Sequence, residues 1–228
     1  MKLLALDTST EFLSLALQLG DKTFTHSQIA GNASSQLILP QIQSLLEEAN
    51  VKLSDLDGIA FGAGPGAFTG VRIACGVAQG LGFGANLPVV GVNTLLAVAE
   101  ASGADKVIVC LDARMGEIYH AAFERINDEW VELSATKVCK PEATPLLACR
   151  AVGVGSGWAA YSEVLSGIYA QNLIKTVPEI TPTAEAILKL AQPIFVAGKA
   201  KPASEAAPIY IRNRVALTSA EREAGQRL

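Results

Sequence analysis

The chain has 228 residues and a net charge of −4, from 18 Lys and Arg against 22 Asp and Glu. Half of its residues are hydrophobic, 18% are charged, and the mean hydropathy is +0.33. That is enough apolar material for a substantial core, which excludes intrinsic disorder, and the basic surplus of a direct nucleic-acid binder is missing.

The first elements are strands. Residues 2–6 read as a buried strand, and Leu13, Leu15, Leu17 and Leu19 alternate with Ser14, Ala16 and Gln18 as in a half-buried one. Gly20-Asp21 then turns the chain into a third strand over residues 22–28, completing a meander. Ser34 or Ser35 can cap a helix that runs to about Asn50 on Leu37, Ile38, Leu39, Ile42, Leu45, Leu46 and Ala49. Pro40 lies inside that pattern and is expected to kink the helix or to mark its true first turn. Residues 58–61 form a short buried strand, residues 62–66 a glycine loop, and a helix follows from about Thr69. Residues 89–92 read as another strand and residues 94–101 as a helix. Residues 73–99 carry no charge over a length that could span a bilayer. Gln79, Asn86, Pro88, Asn93 and five glycines interrupt the stretch, so it reads as buried helix, turn, strand and helix. With no export signal at the start, the expected location is the cytoplasm.

The pattern restarts near residue 104. Residues 106–111 are apolar, Asp112 follows, Met115-Gly116 turns, and strands follow over residues 117–125 and 130–133. Leu6-Asp7 matches Leu111-Asp112 at an offset of 105, and two similarly built α/β subdomains are expected, residues 1–103 and 104–212, with a polar tail over residues 213–228. Residues 151–154 form a strand leading into Gly153, Gly155 and Gly157. Thr181 and Pro182 read as N-cap and first position of a helix ending near Pro193, with strands over residues 194–197 and 209–211. The tail is expected to be a partly ordered helix.

Four cysteines without C-x-x-C spacing read as free thiols, and two histidines, His26 and His120, form no helix-borne metal pair. His120, Trp130 and Trp158 read as packed residues. The segment GAGPGAFTGVR, residues 62–72, resembles a phosphate loop but lacks the Lys-Ser/Thr of a Walker loop and the spacing of G-x-G-x-x-G, so a tight strand-to-helix turn is favoured. In the helix that follows, Gly70, Ala74, Ala78 and Gly82 recur every four residues, as do Gly76, Gly80 and Gly84. Each interior glycine costs about 1 kcal/mol relative to alanine, which must be offset by tight packing within the domain or by another subunit's helix against the small face. The turns at Asp7-Thr8 and Asp112-Arg114 occupy the places where two-subdomain ATPases cradle phosphates. The first turn has no glycine and the second carries Arg114 and Met115, so the site looks filled in, and the two aspartates read as turn caps.

As a set, LALDTSTE (4–11), GPGAFTGVRI (64–73), DARMGEIY (112–119) and PIYIR (208–212) resemble the bacterial TsaB (YeaZ) family over nearly the whole chain. The resemblance implies an actin-like ATPase (ribonuclease-H-like) fold of two similar subdomains with mixed sheets. It implies a non-catalytic adaptor that binds the catalytic paralogue TsaD as a heterodimer and works with the ATPase TsaE. The product is threonylcarbamoyladenosine in tRNAs that read codons starting with A. TsaC supplies the threonylcarbamoyl-AMP donor. The family can also form homodimers, meets tRNA only through the complex, and binds no cofactor tightly alone, ATP and Mg belonging to the partner complex. The catalytic relatives' H-x-x-x-H metal pair is missing. The family's dimer surface falls on the two N-terminal helices, which assigns Leu37, Gln41, Leu45, Thr69, Arg72, Ile73, Gly76, Val77 and Gly80 to the partner interface. Asp7, Thr8, Asp112, Arg114, Gly153 and Gly155 form the degenerate nucleotide site. The alternatives are an actin-like ATPase, or a peptidase acting on TsaD.

Overall fold

The leucine alternation builds the first sheet as expected. In the computed structural model, which describes residues 1–212, β1 (Lys2–Asp7), β2 (Phe12–Leu19) and β3 (Lys22–Ile29) pair antiparallel. After α1 (Ser34–Glu48), β4 (Gly58–Gly64) returns parallel to β1. Next come α2 (Phe68–Ala85), β5 (Val89–Asn93) parallel to β4, and α3 (Thr94–Ala101). The strand order is β3-β2-β1-β4-β5.

The second half repeats this plan. β6 (Lys106–Arg114), β7 (Glu117–Ile126) and β8 (Glu129–Cys139) form the meander, and β9 (Ala151–Val154) runs parallel to β6. Two short helices, α4 (Gly157–Ala160) and α5 (Ser162–Ile168), precede β10 (Leu173–Val177), and α6 (Ala184–Val196) follows it. The order β10-β9-β6-β7-β8 matches the first sheet element for element. Two mixed sheets of this one connectivity make the actin-like, ribonuclease-H-like fold.

Strand alternation sends side chains to two faces of each sheet. Leu4, Leu6, Leu13, Leu15 and Leu17 meet α1 and α2 through Ile38, Ile42, Leu45, Ala74 and Ala78. On the opposite face Leu3, Ala5, Ala16 and Val92 meet Ala184, Ile187, Leu188 and Ala191 of α6. α3 turns Leu95, Val98 and Ala99, all fully buried, onto Val107, Val109, Ala121 and Val154 of the second sheet. So α6, drawn from the second half of the sequence, covers the first sheet, and α3, drawn from the first half, covers the second. On the outer face of the second sheet Trp158 and Tyr169 pack on Ile108, Cys110 and Ile118.

Several boundaries differ from the sequence expectation. α1 has no serine N-cap: Ser34 is its first residue, with its hydroxyl donating to Gly31 O at 2.8 Å, and Pro40 sits inside the helix rather than in its first turn. α6 is capped by Thr183, whose hydroxyl accepts from Ala186 N at 3.2 Å, not by Thr181. It also runs past Pro193 to Val196, so residues 194–197 are no strand. The apolar run there belongs to a helix end whose Phe195 ring lies where a Cβ on Gly58 would fall. Residues 209–211 are no strand either; Ile209 N donates once, to Ala63 O at 2.7 Å. The 105-residue offset is one residue out. Leu3, Ala5 and Asp7 face the inner helices, and so do Val107, Val109 and Leu111, which are 104 residues on. A slip of one reverses the face of every strand residue. The expected helix beyond Asn213 lies outside the described residues.

One polar cluster ties the halves. The Glu100 carboxylate on α3, 8% exposed, accepts from Arg125 at 2.6 Å and from Trp130 Nε1 at 2.8 Å, with Lys189 of α6 at 3.7 Å. Arg125 also lies 4.5 Å from the Trp130 ring centroid. Glu100→Gln keeps an acceptor but removes the charge, and should cost about 1–2 kcal/mol in urea unfolding. An unchanged midpoint would mean that the cluster adds no net stability.

Candidate functional site

α2 has two glycine rows with opposite surroundings. On its inner row, a Cβ on Gly70 would land on the carbonyl oxygen of Thr8, and one on Gly82 would meet Ala203 at 2.9 Å and Val89 at 3.0 Å. On its outer row, nothing lies within 4 Å of a Cβ built on Gly76, Gly80 or Gly84. Tight internal packing therefore accounts for the first row and leaves the second open. Thr69, Arg72, Gly76 and Gly80 are exposed beside half-buried Ile73 and Val77, with Leu37 and Gln41 half-buried on neighbouring α1. Leu45 is the correction in this set: at 3% exposure it belongs to the core between α1 and the first sheet.

The glycine loop is scaffolding. A Cβ on Gly66 would meet Ser9 O at 2.5 Å, Ala67 N donates to Ser9 O at 2.7 Å, and the Thr8 hydroxyl donates to Gly70 O at 2.7 Å. These contacts press the loop onto the β1–β2 turn.

Beside that turn, a cleft of about 1200 Å³ opens between the two halves, lined by Thr8, Thr10, Asp112, Arg114, Ser156 and Tyr210 among others. The expected filling is not there. Arg114 has an 87% exposed side chain paired with Asp112 at 3.1 Å, and Met115 is 57% exposed. Three backbone donors of the two turns are already taken. Ser9 N donates to Asp7 Oδ1 at 3.0 Å, Arg114 N to Asp112 Oδ1 at 2.9 Å, and Asp112 N to the Ser156 hydroxyl at 3.1 Å. These three amides are thus spent on the protein's own side chains, which narrows the cradle the two turns could offer a phosphate.

Asp7 and Asp112 do cap their turns, as expected, but they are not equivalent. Asp7 is 1% exposed, its Oδ2 has no partner among the described residues, and that atom occupies the place a Cβ on Gly62 would take. Burial pushes its carboxyl up to about 6, against the two hydrogen bonds from Ser9. Asp112 faces the other side, toward the Tyr161 hydroxyl at 3.4 Å. Gly153 and Gly155 are not in the cleft. A Cβ on the first would enter the Trp158 indole at 2.5 Å, and Gly155, at φ +97°, abuts Cys110 O at 2.7 Å.

The model for TsaD, described as tRNA N6-adenosine threonylcarbamoyltransferase, matches residues 22–217. The chain is 38% identical to the Escherichia coli tRNA threonylcarbamoyladenosine biosynthesis protein TsaB, covering 95% of this chain and 96% of that one. The Haemophilus influenzae protein of the same name is also 38% identical, over 94% and 95% of the two chains. The chain belongs to the TsaB family. The structure of YeaZ from Pseudomonas aeruginosa superposes with a TM-score of 0.81 at 36% identity, over 92% of this chain and 99% of that one.

For a TsaB-family chain the rest of the chemistry is spare. Among the described residues no group of three His, Cys, Asp or Glu converges on a metal position. His120 is a packed residue: Nε2 lies 3.1 Å from the Tyr169 hydroxyl, which donates to Pro145 O at 2.8 Å. Nε2 is therefore the protonated nitrogen and Nδ1 is left bare. Burial pulls His120 down to about 4. Trp158 is anchored through Nε1 to Ile108 O at 3.0 Å. The charge-free stretch over residues 73–99 is α2, β5 and α3, and no helix among the described residues is long and apolar enough to cross a membrane. The sequence reading missed Phe68, Tyr210 and Arg212 at the cleft mouth. They lie in the quoted motifs, but only the fold brings residue 210 to residue 68, their rings 6.4 Å apart.

Proposed function

We propose that this chain is a non-catalytic adaptor in the synthesis of threonylcarbamoyladenosine in tRNA. In this reading it binds the catalytic relative TsaD through α2 and α1, works with the ATPase TsaE, and leaves ATP and Mg to the assembled complex. The observation that carries the reading is the outer row of α2. A helix that tolerates exposed glycines at 76, 80 and 84 gives up about 3 kcal/mol of helix propensity, and a partner backbone packed close against them offsets it. The naming of the relatives after tRNA threonylcarbamoyladenosine biosynthesis supports the pathway.

Gly76→Leu and Gly80→Leu test it. Both side chains would project into open space, so the free protein should keep its fold, with a melting temperature no lower than the parent's. Co-purification with TsaD should be lost. Complex formation at parental yield by both variants would defeat the adaptor reading of this face.

A further inference from the structure

The mouth of the cleft holds a cation whose charge nothing among the described residues balances. Arg72, one turn into α2, lays its guanidinium 3.1 Å from the ring centroid of Phe68 and 5.0 Å from that of Tyr210. The two rings are 52% and 54% exposed, so neither is held by the core, and their ordering rests on this stack. The neighbouring arginines have carboxylate partners within the chain. Arg114 pairs with Asp112 at 3.1 Å, and Arg212 with Glu117 at 2.6 Å and with Ala113 O at 3.1 Å. Among the described residues no carboxylate or carbonyl pairs with the Arg72 guanidinium. Its position is fixed through its π face, which leaves the in-plane N–H fork free.

A guanidinium held flat with its donors unspent is preorganised for a carboxylate, because the rotamer entropy of a long side chain is already lost before binding. We propose that Arg72 receives an aspartate or glutamate of the protein that covers α2, an inference that rests on the adaptor reading and adds the chemistry of the contact. The surroundings favour a protein carboxylate over an RNA backbone. Along the helix the exposed Gly76 and Gly80 lie beside half-buried Ile73 and Val77, with the uncharged Gln79 as the exposed polar side chain between the two glycines, a surface without charge that suits a packed helix. The nearby cations are neutralised, and the chain carries −4 overall, so a run of phosphates meets no basic track. One uncompensated charge at the end of an otherwise uncharged strip calls for one opposite charge.

The test uses the full-length protein and full-length TsaD of the same organism, with affinity measured by calorimetry at low and high salt. Arg72→Gln should weaken binding about 30-fold at low salt and flatten the salt dependence, with the free protein still folded and its melting lowered only slightly by loss of the exposed stack. Arg72→Lys keeps the charge but not the flat fork, and should still bind about 10-fold more weakly than the parent. Phe68→Leu, which frees the guanidinium without removing it, should cost about 5-fold. Binding by Arg72→Gln with the parental affinity and salt dependence overturns the contact while leaving the adaptor reading standing. Failure of the parent to bind TsaD overturns both. If Arg72→Gln loses tRNA affinity from the complex but not affinity for TsaD, the fork serves a phosphate and the proposal is wrong.

Discussion

Gly70→Ala should cost more than about 4 kcal/mol or prevent folding, while Gly76→Ala, less than two turns away on the same helix, should raise stability by about 1 kcal/mol. Both replace a helical glycine by the best helix former, so propensity alone predicts the same gain at each. The difference lies in what the new methyl meets. At Gly76 it meets nothing within 4 Å. At Gly70 it falls on the carbonyl oxygen of Thr8 and 2.9 Å from its carbon, which are backbone atoms of a turn that is also held by the Thr8 hydroxyl on Gly70 O at 2.7 Å. No rotamer change relieves that contact; α2 or the β1–β2 turn must move. Urea unfolding of the two variants decides it, and a Gly70→Ala protein as stable as the parent would show that the turn yields.

Asp7→Asn should change the pH dependence of stability. An aspartate of ordinary value 3.8 that stands at about 6 in the fold holds its proton more tightly when folded. Below 3.8 both states are protonated and no penalty exists. As pH rises from 3.8 to about 6 the unfolded chain releases the proton first, so stability falls, by about 3 kcal/mol in all. His120 works the other way. Its folded value of about 4 lies below the ordinary 6.5, so its contribution is present above 6.5 and lost as pH falls toward 4. The two slopes oppose each other across nearly one window, so the two contributions largely offset there. The Asp7→Asn change removes one of them and keeps an acceptor for the Ser9 amide. The variant should therefore be about 3 kcal/mol more stable than the parent at pH 8, equal to it near pH 3.5, and steeply destabilised by acid between. Parallel profiles for the two proteins would contradict the buried-carboxyl account.

The legible parts of the fold were those fixed by neighbours in sequence. Leucines at every second position, with Gly20-Asp21 between runs, define the β2–β3 hairpin, and the restart near residue 104 announces a second copy of it. The α2 glycine pattern was legible as a pattern, but which row faced inward depended on Thr8 and Ala203, which no local rule places. The end of α6 failed for a related reason. Proline in a last turn removes one amide and stops nothing, and Ile194, Phe195 and Val196 look like a strand until Gly58 is set beside Phe195. Asp7 and Asp112 were found as turn caps and wrongly equated, because a single residue of register separates a carboxylate under a helix from one at a cleft. The Arg72 stack was invisible for want of Tyr210, which arrives on the chain segment that crosses from Ala63 O to Glu117.

The exchange of α3 and α6 between the two halves bears on how the molecule melts. A duplicated architecture invites the picture of two modules that fold separately and then dock. Here each module would be left with one bare face of its sheet, since Ile187 and Leu188 close the first, and Leu95 and Val98 the second. The halves are therefore a single cooperative unit: heat or denaturant should remove them together in one transition, and a fragment cut between α3 and β6 has no closed core to fall back on.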